Sequence, residues 1–536
     1  MVFSSVVFLF VFLPIVLFLY YISGSFAVKE LKNGILLVAS LLFYAWGEPI
    51  YLFLMLASTV VCYFVGLGIG YFKERNQLKA AKRVLLVGMV LHIGSLVIFK
   101  YTDFFVENIN RMFHTAIKEP ELALPIGISF YTFQILSYLI DAYWGKVAVQ
   151  KNWVHLATYV ALFPQLIAGP IVRYETVERE LADRTETLDE FALGARRFIV
   201  GLGKKVLIAN TVGELYTIVH ALPQTEQSVV MLWLASIAYT IQIYYDFSGY
   251  SDMAIGLGRM FGFHFLENFQ YPYIATSITE FWRRWHISLS SWFRDYVYIP
   301  LGGNRAGAWK QYRNIFVVWL LTGFWHGAEW TFVGWGLYFC LLLVLEKAVF
   351  GKLLKRLPLL LQHIYTMVLV VISWTMFAAN DMGEFFSTLK GMFFASGLSV
   401  SNERTIYYLT SYGVLFLIAI IGATPVPMRF YRKHIKVKEQ AQRQYLYVMG
   451  SLNTRGEVTV SEDEKYVAVT RERAGASDKK DRIIHWEKES FDKEYGLSSL
   501  DKWKLCLEVA CIFVIFIASI SYLVSASFNP FLYFRF

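Results

Sequence analysis

Long apolar stretches alternate with short polar loops along almost the whole chain. Apolar segments near 20 residues, the length that crosses a hydrocarbon core about 30 Å thick, recur from Phe3–Tyr20 to Leu505–Val524. About eleven such segments can be counted by their length and composition. The pattern therefore predicts an all-α polytopic membrane protein.

Two stretches in the middle of the chain depart from this simple pattern. The segment Trp153–Ile171 is apolar but carries Pro164, Gly169 and Pro170, which break a straight helix unless neighbouring protein satisfies the freed backbone groups. The segment Gly249–Leu301 is rich in Trp, Tyr, Arg, Gly and Pro and is too polar to span lipid alone. We expect re-entrant or interfacial helices here, enclosed by protein or lying at the membrane surface.

Charge sets the expected orientation. The loop Lys73–Arg83 is strongly basic, which identifies it as cytoplasmic under the positive-inside rule. Three spans precede it, so the N-terminus is expected outside. The chain has a net charge of +9, but its basic residues gather in short loops between spans, where they act as orientation signals. Nucleic-acid binding is therefore not expected.

The last quarter of the chain changes in character. Residues 1–424 are expected to form the membrane core, and 425–502 form a polar, charged insertion that we interpret as a cytoplasmic appendage. Alternating runs at Glu457–Val460 and Lys465–Thr470 predict a small strand pair within it. Residues 503–524 are predicted to be the final membrane helix, which leaves 525–536 as an extracytoplasmic tail.

The segment Tyr312–Trp335, YRNIFVVWLLTGFWHGAEWTFVGW, contains an ionisable side chain in an apolar setting, His326. Arg313 marks the cytoplasmic end of this helix, and 13 residues at 1.5 Å each carry His326 about 20 Å inward. It is either a neutral histidine hydrogen-bonded inside a helix bundle or a functional group. Imidazole can accept a proton from a hydroxyl at neutral pH, as acyl transfer to an alcohol requires.

A second cluster, FWRRWHISLSSWFRDYVYIPLGG, spans Phe281–Gly303. Its Trp residues recur at helical spacing, which predicts an amphipathic interfacial helix. Anchoring by a tryptophan belt is one interpretation. The other makes His286 a partner at the site and assigns nearby arginines to the phosphates of a cytoplasmic donor such as coenzyme A, because guanidinium pairs well with phosphate. The candidate arginines are Arg283, Arg284, Arg294 and Arg305.

Other chemistry is weaker or absent. Asp246 and Asp252 could orient a histidine, pair with an arginine, or cap a helix end. The chain contains no HExxH, Walker-type or GxSxG motif, and its ten histidines suggest no metal set. The four cysteines lack the spacing of a disulfide framework or a zinc site.

Five segments in order closely resemble the membrane-bound O-acyltransferase family. The resemblance covers roughly Leu31–Ala423 and is strongest to the bacterial branch typified by the membrane subunit of the alginate O-acetylation machinery. The segments are LPIGISFYTFQILSYLIDAYWGK (Leu124–Lys146), LFPQLIAGPIVRY (Leu162–Tyr174), YYDFSGYSDMAIG (Tyr244–Gly256), EFWRRWHISLSSWFRDYVYIPLGG (Glu280–Gly303) and GFWHGAEWTFVGWG (Gly323–Gly336).

This resemblance implies tilted helices around a thin core, with a central tunnel joining a cytoplasmic donor to an extracytoplasmic acceptor. It places the family's catalytic histidine on His326 and a supporting histidine on His286. It also implies acetyl-coenzyme A as acyl donor and no metal. The C-terminal FLYFRF resembles an FxYxxF tail in which the tyrosine, here Tyr533, is a transient acyl acceptor; an aromatic interfacial anchor is the alternative.

The expected activity is therefore O-acetylation of a cell-surface polysaccharide, alginate-like or another cell-wall glycan, from a bacterial cytoplasmic (inner) membrane. Because the chain has no second catalytic domain, an extracytoplasmic SGNH-hydrolase-like acetyltransferase partner is expected to deliver the acetyl group to the glycan. D-alanyl transfer to teichoic acid from a carrier protein is the alternative within enzymes. A glycan transporter or flippase is the alternative outside them, although no pair of related halves is evident.

Overall fold

A computed structural model describes most of the chain. The described residues are 1–24, 29–167, 169–305, 307–394, 396–434, 458–460, 466–471, 482–487, 499–525 and 529–530. The chain forms two compact units, 1–424 with 516–536, and 425–515.

The described part of the first unit contains helices and loops but no strand. Its helices are α1 (Leu13–Ser23), α2 (Lys29–Ala45), α3 (Tyr51–Glu74), α4 (Leu78–Phe113), α5 (Ile128–Trp144), α6 (Trp153–Ala161), α7 (Phe163–Leu166), α8 (Tyr174–Ala182), α9 (Leu188–Gly203), α10 (Thr211–Ala221), α11 (Val229–Met260), α12 (Ile278–Arg284), α13 (Ile287–Phe293), α14 (Ala308–His326), α15 (Trp330–Leu345), α16 (Gly351–Leu354), α17 (Leu359–Ala378), α18 (Met382–Met392) and α19 (Glu403–Gly422). Four π-helical segments, Phe8–Phe12, Lys204–Asn210, Arg294–Tyr298 and Glu346–Phe350, and two 3₁₀ turns, Gln224–Glu226 and Pro272–Ile274, adjoin them.

The second unit contains helix α20 (Val426–His434) and a sheet. Strands β1 (Val458–Val460), β2 (Tyr466–Arg471) and β3 (Arg482–Glu487) pair antiparallel in that order. The strand pair predicted from alternation corresponds to β1 and β2, and β3 was not predicted. Helix α21 (Ser499–Ser525) continues from this unit into the first. The helical class therefore describes the first unit, and the described strands all lie in the second.

Six described helices are long and apolar enough to cross a membrane, so the chain is a polytopic membrane protein. They are Tyr51–Glu74, Leu78–Phe113, Val229–Met260, Leu359–Ala378, Glu403–Gly422 and Trp503–Ser525. The other helices are shorter or more polar. The total of about eleven crossings and the central tunnel stay predictions.

The predicted interruption after Trp153 is confirmed. Helix α6 ends at Ala161, Leu162 leaves helical geometry, and α7 restarts with Pro164 in its first turn. Proline is tolerated there because the first-turn amides have no partner within the helix. The residues at these breaks are buried. The backbone groups that lack helical hydrogen bonds there therefore face surrounding protein rather than lipid.

Small residues bring α9 and α11 together backbone to backbone. A Cβ atom added to Gly249 would lie 2.8 Å from the carbonyl oxygen of Gly201, and one added to Gly256 would lie 2.6 Å from that of Gly194. Glycines at helix interfaces permit such close approach in membranes. This contact makes α11 a buried central element, and its C-terminal half is enclosed by protein, one of the two positions expected from the sequence.

Candidate active site

His326 is the last residue of α14 and is buried, with only 6% of its surface exposed. The helix ends there because Gly327 adopts an extended conformation. Aromatic rings enclose the imidazole: the ring centroid of Trp335 lies at 5.0 Å and that of Phe377 at 5.2 Å, both edge-on. The side chain is therefore held in a protein-lined setting, as its position in an apolar run required.

His286 occupies a break between α12 and α13. Its backbone is left-handed (φ 43°), a conformation that costs a non-glycine residue about 1–3 kcal/mol and often marks a functional site. The predicted continuous interfacial helix over Phe281–Gly303 is therefore wrong. Trp282 and Trp292, expected to anchor in the interface, are buried instead, since the break turns both short helices into the protein.

The imidazole of His286 has a fixed orientation. Its Nδ1 lies 3.2 Å from Oδ1 of Asn268, and because a carbonyl oxygen only accepts, Nδ1 donates. Ser288 donates to the same oxygen through its hydroxyl at 3.0 Å. The opposite nitrogen, Nε2, is buried with no hydrogen-bond partner among the described residues and is left as an acceptor.

The ring of Trp325 packs against both histidines. Its ring centroid lies 4.9 Å from that of His326 and 5.9 Å from that of His286. The structure thus brings together two side chains separated by 40 positions in the sequence. Lys100, which sequence reasoning missed, donates to the backbone carbonyl of Trp325 from α4.

A cavity of about 280 Å³ lies beside α12, α13 and α14. Of the four candidate arginines, Arg283 and Arg294 line it, together with mostly aromatic and aliphatic side chains. Arg284 and Arg305 lie outside this lining, and Arg294 is also paired with Asp295 at 2.7 Å. Two guanidinium groups at an apolar pocket suit an anionic ligand with an uncharged arm.

The cavity extends along α14 towards the histidine. Trp319 and Thr322 line it, and Thr322 precedes His326 by four residues, about 6 Å along a helix and on the same face. Trp335, which packs edge-on against His326, also contacts Trp319 with a centroid distance of 6.2 Å. The inner wall of the cavity is therefore continuous with the surroundings of His326.

The two aspartates of α11 form ion pairs with α9 and with the π-helical segment that follows it. Asp252 pairs with Arg197 at 2.8 Å and with Lys204 at 2.6 Å. Asp246 pairs with Lys205 at 2.5 Å, and both side chains are almost fully buried. Pairing with an arginine is thus confirmed for Asp252, and helix-end capping is wrong because both aspartates lie inside α11.

The start of the C-terminal tail is held near this buried pair. Lys205 donates to the carbonyl oxygen of Pro530. Asn529 accepts from Asn210 at 3.1 Å and donates to the carbonyl oxygen of Ser4 at 2.8 Å. Tyr533 lies outside the described residues. No group of three potential metal ligands occurs in the part of the chain that the structure describes.

Comparison with known proteins gives a consistent result. Residues 148–381 match the model of MBOAT, the membrane-bound O-acyltransferase family. A probable alginate O-acetylase AlgI of Pseudomonas aeruginosa is 40% identical over the full length of both chains. A peptidoglycan O-acetyltransferase of Helicobacter pylori is 36% identical over 75% of this chain and 81% of its own. A teichoic acid D-alanyltransferase of Bacillus subtilis is 29% identical over 46% of this chain and 65% of its own.

Proposed function

Because the chain belongs to the membrane-bound O-acyltransferase family, we propose that this O-acyltransferase moves acetyl groups from cytoplasmic acetyl-coenzyme A towards an extracytoplasmic polysaccharide. Membership confirms the resemblance found in the sequence. Relatives named for alginate and peptidoglycan O-acetylation support a glycan acceptor. The D-alanyltransferase is less similar and covers less of the chain, so D-alanyl transfer is the second candidate, and a flippase has no comparable support.

One observation carries the proposal: a cavity with two arginines adjoins the helix face that ends in a buried histidine. Arg283 and Arg294 would pair with the phosphates of coenzyme A, and the aromatic wall would accept its apolar arm. The thioester would then approach His326 along α14. Arg284 and Arg305 contribute less in this scheme, since neither lines the cavity.

The chemistry needs one proton acceptor at the buried end. The His326 imidazole takes the proton of the acceptor hydroxyl, the hydroxyl oxygen bonds to the acetyl carbon, and the carbon–sulfur bond breaks. The proton then passes to the departing thiolate of coenzyme A. His286 supports this step through Nε2, whose partner atom would come from the substrate, while Asn268 holds the opposite side of its ring.

Tyr533 is the proposed first acceptor. The carbonyl oxygen of Pro530 accepts a hydrogen bond from Lys205, which forms an ion pair with Asp246. Phe247, which follows Asp246 in α11, packs against His286 with a centroid distance of 4.7 Å. The start of the tail therefore lies beside the helix that packs against His286, which supports Tyr533 as an acceptor. An extracytoplasmic SGNH-hydrolase-like partner would then carry the acetyl group to the glycan at the outer face of a bacterial inner membrane.

Sealed inside-out vesicles holding wild type or Tyr533→Phe, supplied with acetyl-labelled acetyl-coenzyme A, test this scheme. We expect label on the wild-type tail and none on the variant, and lower acetylation of glycan when the variant replaces wild type in cells. Tyr407→Phe, an exposed tyrosine of α19, is the matched control. Full glycan acetylation by Tyr533→Phe would remove the tyrosyl step, and consumption of a D-alanyl carrier alone would favour the second candidate.

A further inference from the structure

Lys100 is a buried cation within the membrane helix α4. Its ammonium group donates to the carbonyl oxygen of Trp325, to the hydroxyl of Ser129 at 3.3 Å and to the carbonyl oxygen of His326 at 3.4 Å. The neighbouring Tyr101 donates to the carbonyl oxygen of Phe324 at 2.6 Å. Two adjacent side chains of α4 therefore bind three consecutive carbonyls at the end of α14.

Those carbonyls are the ones that a helix leaves without partners. The last four carbonyl groups of an α-helix accept no intrahelical bond, and they carry the partial negative charge of the helix macrodipole. Among the described residues, no carboxylate forms an ion pair with Lys100, so the end of α14 is its counter-charge. A charge in a membrane helix is costly and usually serves a function.

A small cavity of about 40 Å³ adjoins the lysine. It is lined by Lys100, Ser129, Trp325, Ile167 and the turn 124–128. This volume admits one or a few water molecules. The ammonium group of Lys100 is thus reached from a space that is separate from the larger cavity of Arg283 and Arg294.

We propose that Lys100 is a positioning residue, whose charge fixes the last turn of α14 and thereby the place of the His326 imidazole. The inference rests on the proposed function, because it assumes that His326 takes part in acyl transfer. Lys100 itself does not touch the reacting atoms, since its three protons are directed at Trp325, His326 and Ser129. Without the ammonium group, the carbonyl groups of Trp325 and His326 lose this partner, and the imidazole shifts.

Chemical rescue separates charge from packing. Lys100→Ala removes the atoms of a propylammonium ion next to an existing cavity, so added propylamine can replace the missing group, whereas propan-1-ol has the shape without the charge. We expect Lys100→Ala to lower turnover of acetyl-coenzyme A about 10²-fold, the typical cost of a displacement near 1 Å. Propylammonium should restore a saturable part of that loss.

A second readout requires no donor. Hydrogen exchange of the peptide that contains Trp325 and His326 should be faster in Lys100→Ala than in wild type, and slower again with propylammonium. Lys79→Ala, an exposed lysine on the same helix, is the matched control and should change neither readout. If Lys100→Ala does not fold, the nearly isosteric Lys100→Met should show the same loss and the same faster exchange.

Three results would overturn the inference: wild-type turnover in both Lys100 variants, equal rescue by propan-1-ol, or lost turnover with unchanged exchange at the end of α14. Failure of the proposed function is distinct. In that case the wild type would not consume acetyl-coenzyme A, while the exchange measurement would still report whether Lys100 holds the helix end.

Discussion

Replacing Gly323 with alanine should displace the helix that carries His326. Gly323 lies three residues before the histidine, and a Cβ atom added there would lie 2.6 Å from the carbonyl oxygen of Phe332 and 3.3 Å from the Cα atom of Val333. Ordinary van der Waals contact begins at 3.4 Å, and both neighbouring atoms belong to the backbone of the facing helix, α15. The two segments must therefore separate by nearly 1 Å, because close-packed interiors do not yield locally.

The expected cost can be stated for stability and for activity. Overpacking of this kind destabilises by about 1–3 kcal/mol, and a displacement near 1 Å at a reacting group lowers the rate about 10²-fold. Thermal unfolding in detergent and turnover of labelled acetyl-coenzyme A, both on purified full-length protein, measure the two effects. We expect most of the variant to remain folded with little turnover.

Gly334→Ala on α15 is the matched control. The nearest atoms there are the sulfur atoms of Met376 and Met382 at 3.5 Å, an ordinary distance to flexible side chains. This variant should keep wild-type turnover. If Gly323→Ala turned over acetyl-coenzyme A within twofold of Gly334→Ala, the close fit between α14 and α15 would not set the position of His326.

Three further predictions concern buried polar contacts. Asp246→Asn should destabilise the protein by about 3–5 kcal/mol because it leaves a buried cation uncompensated, and Asp246→Leu with Lys205→Met should recover most of this loss in thermal unfolding. Glu346 accepts from two backbone amides at the start of α12, so Glu346→Ala should lower the free energy of unfolding by about 0.5–2 kcal/mol. Because α12 carries Arg283, this variant should also raise KM for acetyl-coenzyme A more than it lowers kcat, and an unchanged KM would refute a role of Glu346 in positioning α12. Asn268→Ala should lower kcat by freeing the ring of His286, whereas Asn268→Asp, which keeps an acceptor oxygen, should retain more activity in the same assay.

The sequence predicts the parts of the site that follow from local pattern. An ionisable group in an apolar run singles out His326. The tryptophan-rich segment gives four candidate arginines, of which Arg283 and Arg294 line the cavity. The broken helix after Trp153 follows from its prolines and glycines. In each case a short stretch of chain contains the whole signal.

The remaining features depend on contacts between distant segments. Lys100 resembles the end of a membrane span, and its carbonyl partners lie more than 220 positions away. The pairing of Asp246 with Lys205 depends on how α11 packs against the segment after α9. The helix break at His286 could not be predicted from the sequence, because the tryptophans on either side of it keep helical spacing. The sequence feature that could have identified Lys100 is a charged residue next to an apolar run, which is close to the criterion that identified His326.

Turnover of acetyl-labelled acetyl-coenzyme A by purified wild type and His326→Ala tests the central claim most directly. His92→Ala, which removes another buried histidine of a membrane helix, is the control, and all three proteins are compared at equal amounts of folded protein. The account predicts turnover by wild type and His92→Ala, and loss of turnover by His326→Ala with acetyl-coenzyme A binding retained. Undiminished turnover by His326→Ala would contradict the assignment of the proton acceptor, and a wild type that neither binds nor consumes acetyl-coenzyme A would contradict the donor.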